Sequence, residues 1–216
     1  MPAPRHTRRT FFAFPLAAGS LAASAGRPSM RAPRPYVITM LGDSITAGYG
    51  LPVQAALPNQ LHLALKTRGL DNLVRAAGVS GDTTAGGLAR VDFSVQQDTD
   101  LAIIALGGND LLQGLDPRQT RANLDATIKR LKARRIRVLL AGIVAPGAVG
   151  AGYARDFNAV FTGLARTHGV VLYPDLLAGV ARHRGLIQAD GLHPNAQGAK
   201  LIAQRLAPVV ALAMSS

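Results

Sequence analysis

YVITMLGDSITAGYGLP, Tyr36 to Pro52, runs from a short apolar stretch straight into a Gly-Asp-Ser-Ile-Thr turn. An apolar run of strand length followed at once by helix-start chemistry is the first half of a strand–helix unit. The pattern repeats outward from it. Strands are expected at Tyr36–Leu41, Asn72–Ala76, Leu101–Leu106, Val138–Ile143 and Val170–Tyr173, with amphipathic helices at Ala56–Arg68, Thr84–Val91, Arg118–Arg134, Tyr153–Thr167 and Ala196–Met214. Gly69 and Gly169 supply helix stops, and Asp116-Pro117 opens a helix. Strands that are nearly all apolar, alternating with helices, predict a mostly five-stranded parallel sheet covered on both faces, a three-layer α/β/α fold.

Composition narrows the class. The 216 residues suit one domain, and their 48% hydrophobic content is ample for one core. Twenty-four Lys and Arg face twelve acids, a net charge of +12. Only KRLKARRIR, Lys129 to Arg137, is dense in cations, and it carries no aromatics, so it is expected to be the solvated end of a helix and no nucleic-acid partner is expected. No cysteine is present, which excludes a disulfide framework, a thiolate nucleophile and a Cys-based metal site. At the front, Arg5, Arg8 and Arg9 precede the apolar run Phe11 to Ala23 and the small-residue site Ala23-Ser24-Ala25. This is the order of a secretory signal, and the Arg8-Arg9 pair fits a twin-arginine type. Residues 1–25 are therefore expected to be a removable signal and 26–35 a flexible leader. Residues 36–216 then form the folded domain, periplasmic or secreted, with no stable membrane anchor once the signal is gone.

In a parallel sheet, ligands bind outside the carboxyl ends of the strands. Four loops and one turn fall there: GDSITAG, AGVSGDTTAGG, GGNDLLQG, VAPGAVGAG and, before the last helix, ADGLHPNAQG. Ser44 sits at a helix start, where its hydroxyl can cap free N–H groups or stand exposed as a nucleophile. A nucleophilic serine needs a base. His62, His168 and His183 lie in helical or basic surface contexts and are expected to be structural or solvated. His193 differs, because Asp190 precedes it by three residues within Asp190-Gly191-Leu192-His193-Pro194, a tight turn in which the carboxylate can reach the imidazole. The alternative is that Asp190 caps the following helix and the histidine is incidental. Gly81 can offer a backbone N–H to a ligand and Asn109 a neutral amide, though each alone is also an ordinary turn residue. Ser, Gly, Asn and Asp-x-x-His nevertheless fall on one rim.

Gly42-Asp43-Ser44, Gly81, Gly107-Gly108-Asn109-Asp110 and Asp190-x-x-His193 resemble the four blocks of the SGNH hydrolases, also called GDSL esterases and lipases. LGDSITAGYGL, SGDTTAGGLAR, LGGNDLLQG and DGLHPN are most similar to the bacterial arylesterase and thioesterase I/lysophospholipase L1 branch, over Tyr36 to Val210. The resemblance implies a flavodoxin-like fold and an esterase acting on a small acyl ester or thioester. It implies Ser44 as nucleophile, His193 as base and then acid, Asp190 as its orienter, and an oxyanion hole from the Ser44 and Gly81 N–H groups and the Asn109 amide. No cofactor or metal is called for. A carbohydrate O-acetylesterase and a non-catalytic acyl-binding envelope protein are the alternatives. The family's substrate loop, here Ile143 to Phe157, matches only at Pro146, Gly150, Tyr153 and Phe157. Thr46 replaces the last glycine of a G-x-S-x-G elbow, which argues against an ordinary α/β-hydrolase.

Overall fold

The computed structural model describes residues 1–2 and 34–215. The expected signal, Met1 to Ala25, and the leader, Gly26 to Pro35, lie outside the described residues except for 1–2 and 34–35. The chain divides into the units Met1–Arg34 and Pro35–Ser216, and the second carries all the elements that follow. Strands β1 (Tyr36–Gly42), β2 (Asn72–Gly78), β3 (Leu101–Ala105), β4 (Arg137–Ala141) and β5 (Val171–Tyr173) form one sheet in the order β2-β1-β3-β4-β5. Every neighbouring pair is parallel. Helices are α1 (Ser44–Ala47), α2 (Leu57–Lys66), α3 (Thr84–Ser94), α4 (Gly108–Leu112), α5 (Pro117–Ala133), α6 (Ala151–His168) and α7 (Ala196–Ser215). One helical layer is the α2–α7 pair and the other is α3, α5 and α6 packed in series, so the expected α/β/α sandwich is present.

The apolar strands behave as their sequences dictate. All five residues of β3 are buried, as are Val37 to Gly42 of β1, because helices cover both faces. β2 departs from the expected apolar pattern. It is an edge strand, its burial is patchy, and it carries Arg75, which pairs with Asp98. It also runs two residues past the expected end, since its register with β1 continues to Gly42↔Gly78. β4 stops at Ala141, two residues early, where Gly142 turns away to donate to the Tyr173 carbonyl and accept from Leu176 N–H. The basic run behaves as expected: Lys129, Arg130, Lys132, Arg135 and Arg137 are exposed, while Leu131 and Ile136 reach the core.

The strand order reverses direction at β1, whose neighbours are β2 on one side and β3 on the other. Loops leaving the carboxyl ends of β1 and β3 therefore diverge to opposite faces, and a crevice opens between them. Ser44 follows the end of β1 and Asn109 follows the end of β3.

Candidate active site

Ser44 is the first residue of the one-turn helix α1, and the capping duty weighed for it belongs instead to Asp43, whose Oδ1 accepts the Ile45 N–H at 3.0 Å. Its hydroxyl is thus free of local backbone work. Ser44 Oγ lies 2.8 Å from His193 Nε2, although 149 residues separate them. His193 Nδ1 lies 2.7 Å from Asp190 Oδ2. A carboxylate can only accept, so Nδ1 carries the proton and Nε2 is left as the acceptor facing the serine. Asp190 Oδ1 accepts the N–H groups of Leu192 (2.9 Å) and His193 (3.0 Å). The Leu192 N–H, then the His193 ring, then the His193 N–H pull the carboxyl down to about 2, so it is ionised at neutral pH.

Ser44, Gly81, Asn109 and His193 line one cleft of about 290 Å³. Among the described residues, neither the Ser44 N–H nor the Gly81 N–H donates to a protein acceptor. Gly81 has φ +87°, while a Cβ there would meet nothing within 4 Å. The glycine is required by its backbone torsion, with no protein neighbour crowding it. Asn109 Nδ2 donates to the Asp82 carbonyl at 2.8 Å. That bond fixes which end of the amide is nitrogen and uses one of its two hydrogens, leaving the second for a ligand. The rest of the lining is largely apolar, with Ile45, Leu111, Leu112, Ile143, Val144 and Leu192. Of the expected substrate loop, Ile143 and Val144 reach the cleft, but Phe157 is a fully buried core residue of α6, stacked with Tyr153 and edge-on to Phe161.

The supporting residues were hardly visible in the sequence. Arg90, in the quoted SGDTTAGGLAR block, donates from Nη2 to the Gly42 carbonyl (2.9 Å), from Nη1 to the Ala77 carbonyl (3.0 Å) and from Nε to Asp82 (2.6 Å). It ties the ends of β1 and β2 to the loop carrying Gly81. Asp110, 1% exposed, accepts from Thr84 N–H (2.8 Å), Thr84 Oγ1 (2.5 Å) and Thr120 Oγ1 (3.1 Å), which seats α4 and hence Asn109. Those donors are what make a buried carboxylate tolerable. As expected, His62 and His168 serve structure: His62 Nδ1 meets Asn72 Oδ1 at 3.0 Å and His168 Nε2 meets Asp125 Oδ1 at 2.7 Å, while His183 is exposed. The acid beside His168 was not foreseen, because it comes from α5, 43 residues away.

Asp43 is 4% exposed, and burial raises its carboxyl to about 6 against the opposing pull of the Ile45 N–H and the nearby His193. Above that value the group is charged in both folded and unfolded chains, and the native state bears the full burial cost. Below about 3.8 it is neutral in both and the cost vanishes. Stability from this group therefore falls as pH rises from about 4 to about 6, by on the order of 3 kcal/mol. Asp43→Asn keeps an acceptor for the cap and removes the titration. Urea unfolding at pH 4 and pH 7 should show the variant gaining on the wild type at the higher pH; a difference independent of pH would contradict it.

A serine, an imidazole and hydrogen-bond donors on one cleft, at the switch point of a flavodoxin-like sheet, suit acyl transfer. Residues 40–201 match the GDSL-like lipase/acylhydrolase family. The chain is similar to the esterase TesA of Pseudomonas aeruginosa, 38% identical over 158 residues that cover 73% of this chain and 79% of that one. It is 36% identical over 171 residues to an arylesterase of Vibrio mimicus, covering 79% and 86%. The crystal structure of AlinE4, an SGNH-hydrolase family esterase, matches with a TM-score of 0.71 at 42% identity over 84% of this chain and 97% of that one. The chain belongs to the GDSL-like lipase/acylhydrolase family, the SGNH hydrolases, and is a carboxylic ester hydrolase.

Proposed function

We propose that this protein is an exported serine esterase that hydrolyses carboxylic esters or thioesters through an acyl-enzyme on Ser44. The observation that supports this reading most is the line Ser44 Oγ, His193 Nε2 and Nδ1, Asp190 Oδ2, with spacings of 2.8 and 2.7 Å, beside the cleft. Ser44 attacks the acyl carbonyl as His193 Nε2 takes its proton, and Asp190 stabilises the imidazolium that forms. Charge builds on the former carbonyl oxygen, where the Ser44 and Gly81 N–H groups and the second Asn109 amide hydrogen receive it. His193 returns its proton to the leaving alkoxide or thiolate. Water then repeats the sequence, with His193 as base, and releases the acid and the Ser44 hydroxyl.

The apolar wall favours a hydrocarbon or aryl group over a sugar, which places the arylesterase, thioesterase or lysophospholipase type ahead of a carbohydrate O-acetylesterase. A panel of p-nitrophenyl esters of increasing acyl length, with phenyl acetate, an acyl-CoA and acetylated xylan, tests the reading: preferential turnover of the xylan would reverse that order. Asn109→Ala removes a donor that matters chiefly once the oxyanion forms, so kcat should drop about 10²–10³-fold with KM nearly unchanged. A rise in KM alone would make Asn109 a binding residue. On the same reading residues 1–25 are removed on export, residues 26–35 are a flexible leader and residues 36–216 form the catalytic domain. Native protein should then begin near Gly26, as N-terminal sequencing can determine; an intact Met1 on a cytoplasmic pool would count against export.

A further inference from the structure

His193 must stay within hydrogen-bond reach of Ser44, yet few hydrogen bonds join the loop that carries it to the serine segment. From Ala189 to Leu192 every residue is exposed, and of 187–195 only Pro194 is buried. The loop belongs to no strand of the sheet; its one ladder contact is the isolated antiparallel bridge Ile187↔Pro194, which closes it upon itself. Among the described residues, two hydrogen bonds join residues 44–56 to residues 186–196. One is the Ser44–His193 bond. The other comes from the side-chain amide of Gln188, which donates from Nε2 to the Tyr49 carbonyl at 2.8 Å.

We propose that Gln188 is a positioning residue, a latch that holds the His193 loop against the Ser44 segment by bridging Tyr49 and Pro194 through one amide. The same Nε2 donates to the Pro194 carbonyl at 2.9 Å, and the Gln188 backbone N–H donates to the His193 carbonyl at 2.8 Å. Three bonds from one residue thus reach the His193 and Pro194 carbonyls, on the C-terminal side of the imidazole, and the turn that ends α1. Tyr49 adds a second contact, its ring lying over the His193 ring with centroids 4.6 Å apart and planes inclined by 37°. The seat for the amide is shaped for it. Gly50, at φ +71°, packs so closely on Gln188 that a Cβ there would stand 2.2 Å from Oε1. Without the latch, the hydrogen bonding between the two segments would reduce to the Ser44–His193 bond itself, which is the bond that must break and re-form in each cycle.

The latch rests on Ser44 and His193 acting as proposed above, and the test separates the two. Full-length Gln188→Met, which keeps the side-chain length and loses both amide hydrogens, is assayed with phenyl acetate and titrated with an alkyl p-nitrophenyl phosphonate, beside wild type and Ser44→Ala. Because a displacement of about 1 Å costs roughly 10²-fold, kcat and the phosphonylation rate should both fall by 10- to 100-fold. KM, the melting temperature and the number of titratable serines per chain should match the wild type. A purely structural role would instead lower the titratable fraction or the melting temperature, and that result would overturn the latch, as would a kcat within twofold of wild type. Activity retained by Ser44→Ala would instead overturn the serine mechanism.

Discussion

Replacing Ser44 with alanine is expected to reduce ester hydrolysis by on the order of 10⁶-fold while leaving the fold and its stability nearly unchanged. The size of the loss follows from the role: without Oγ there is nothing for the acyl group to bond to, and the remaining donors only polarise a carbonyl that water must attack unaided. The small effect on stability follows from the local structure. A serine at a helix start often caps the helix, and its loss then costs about 1 kcal/mol. Here Asp43 accepts the Ile45 N–H, and the partner of Ser44 Oγ is His193, so alanine leaves the α1 cap whole. Steady-state kinetics and thermal unfolding of the same preparation check both halves. A folded Ser44→Ala protein that still turns over ester at a rate near wild type would refute the mechanism.

Asp190→Asn should cost on the order of 10⁴-fold in kcat, as loss of the acid does in serine triads. The reason lies in what each carboxylate oxygen does. Oδ1 accepts two backbone N–H groups, so the oxygen of an asparagine would stay there and hold the turn. Its NH₂ would then replace Oδ2 and point two hydrogens at Nδ1. Nδ1 could meet them only as an acceptor, which moves the ring proton to Nε2 and leaves Ser44 with no base. The imidazolium would also lose its neighbouring charge. Loop structure and melting temperature should survive, since the two backbone bonds persist. A loss below tenfold would mean that backbone geometry alone holds the ring, and Asp190 would lose its assigned role while Ser44 and His193 kept theirs.

Much of the fold was legible because its physics is local. Apolar runs such as Val37 to Leu41 and Leu101 to Leu106 announce buried strands, and the helices between them have stops such as Gly169, which takes φ +61°. The ends of β2 and β4 were not legible, since they depend on which neighbour keeps pairing. At the site, Ser44, Gly81, Asn109, Asp190 and His193 could be picked out because each sits in a short segment with distinctive punctuation. Their supports could not. Arg90 earns its place through carbonyls 13 and 48 residues away, Asp110 through hydroxyls on two other helices, and Gln188 through a carbonyl 139 residues away. Nothing in the residues themselves marks such contacts. Asp43 was hidden differently, by adjacency: the eye goes to the serine, while the cap and the pH-sensitive carboxyl belong to the residue before it.

The central claim is that Ser44 forms a covalent bond to the acyl group. Reaction with an alkyl p-nitrophenyl phosphonate, followed by intact-mass and peptide-mass measurement, tests it most directly, because the phosphonyl group stays where an acyl group would be hydrolysed away. The account predicts one adduct per chain, on the peptide containing Ser44, formed in step with the loss of esterase activity and absent from Ser44→Ala. An adduct on any other residue that accompanies inactivation, or complete labelling of Ser44 with turnover unimpaired, would contradict it.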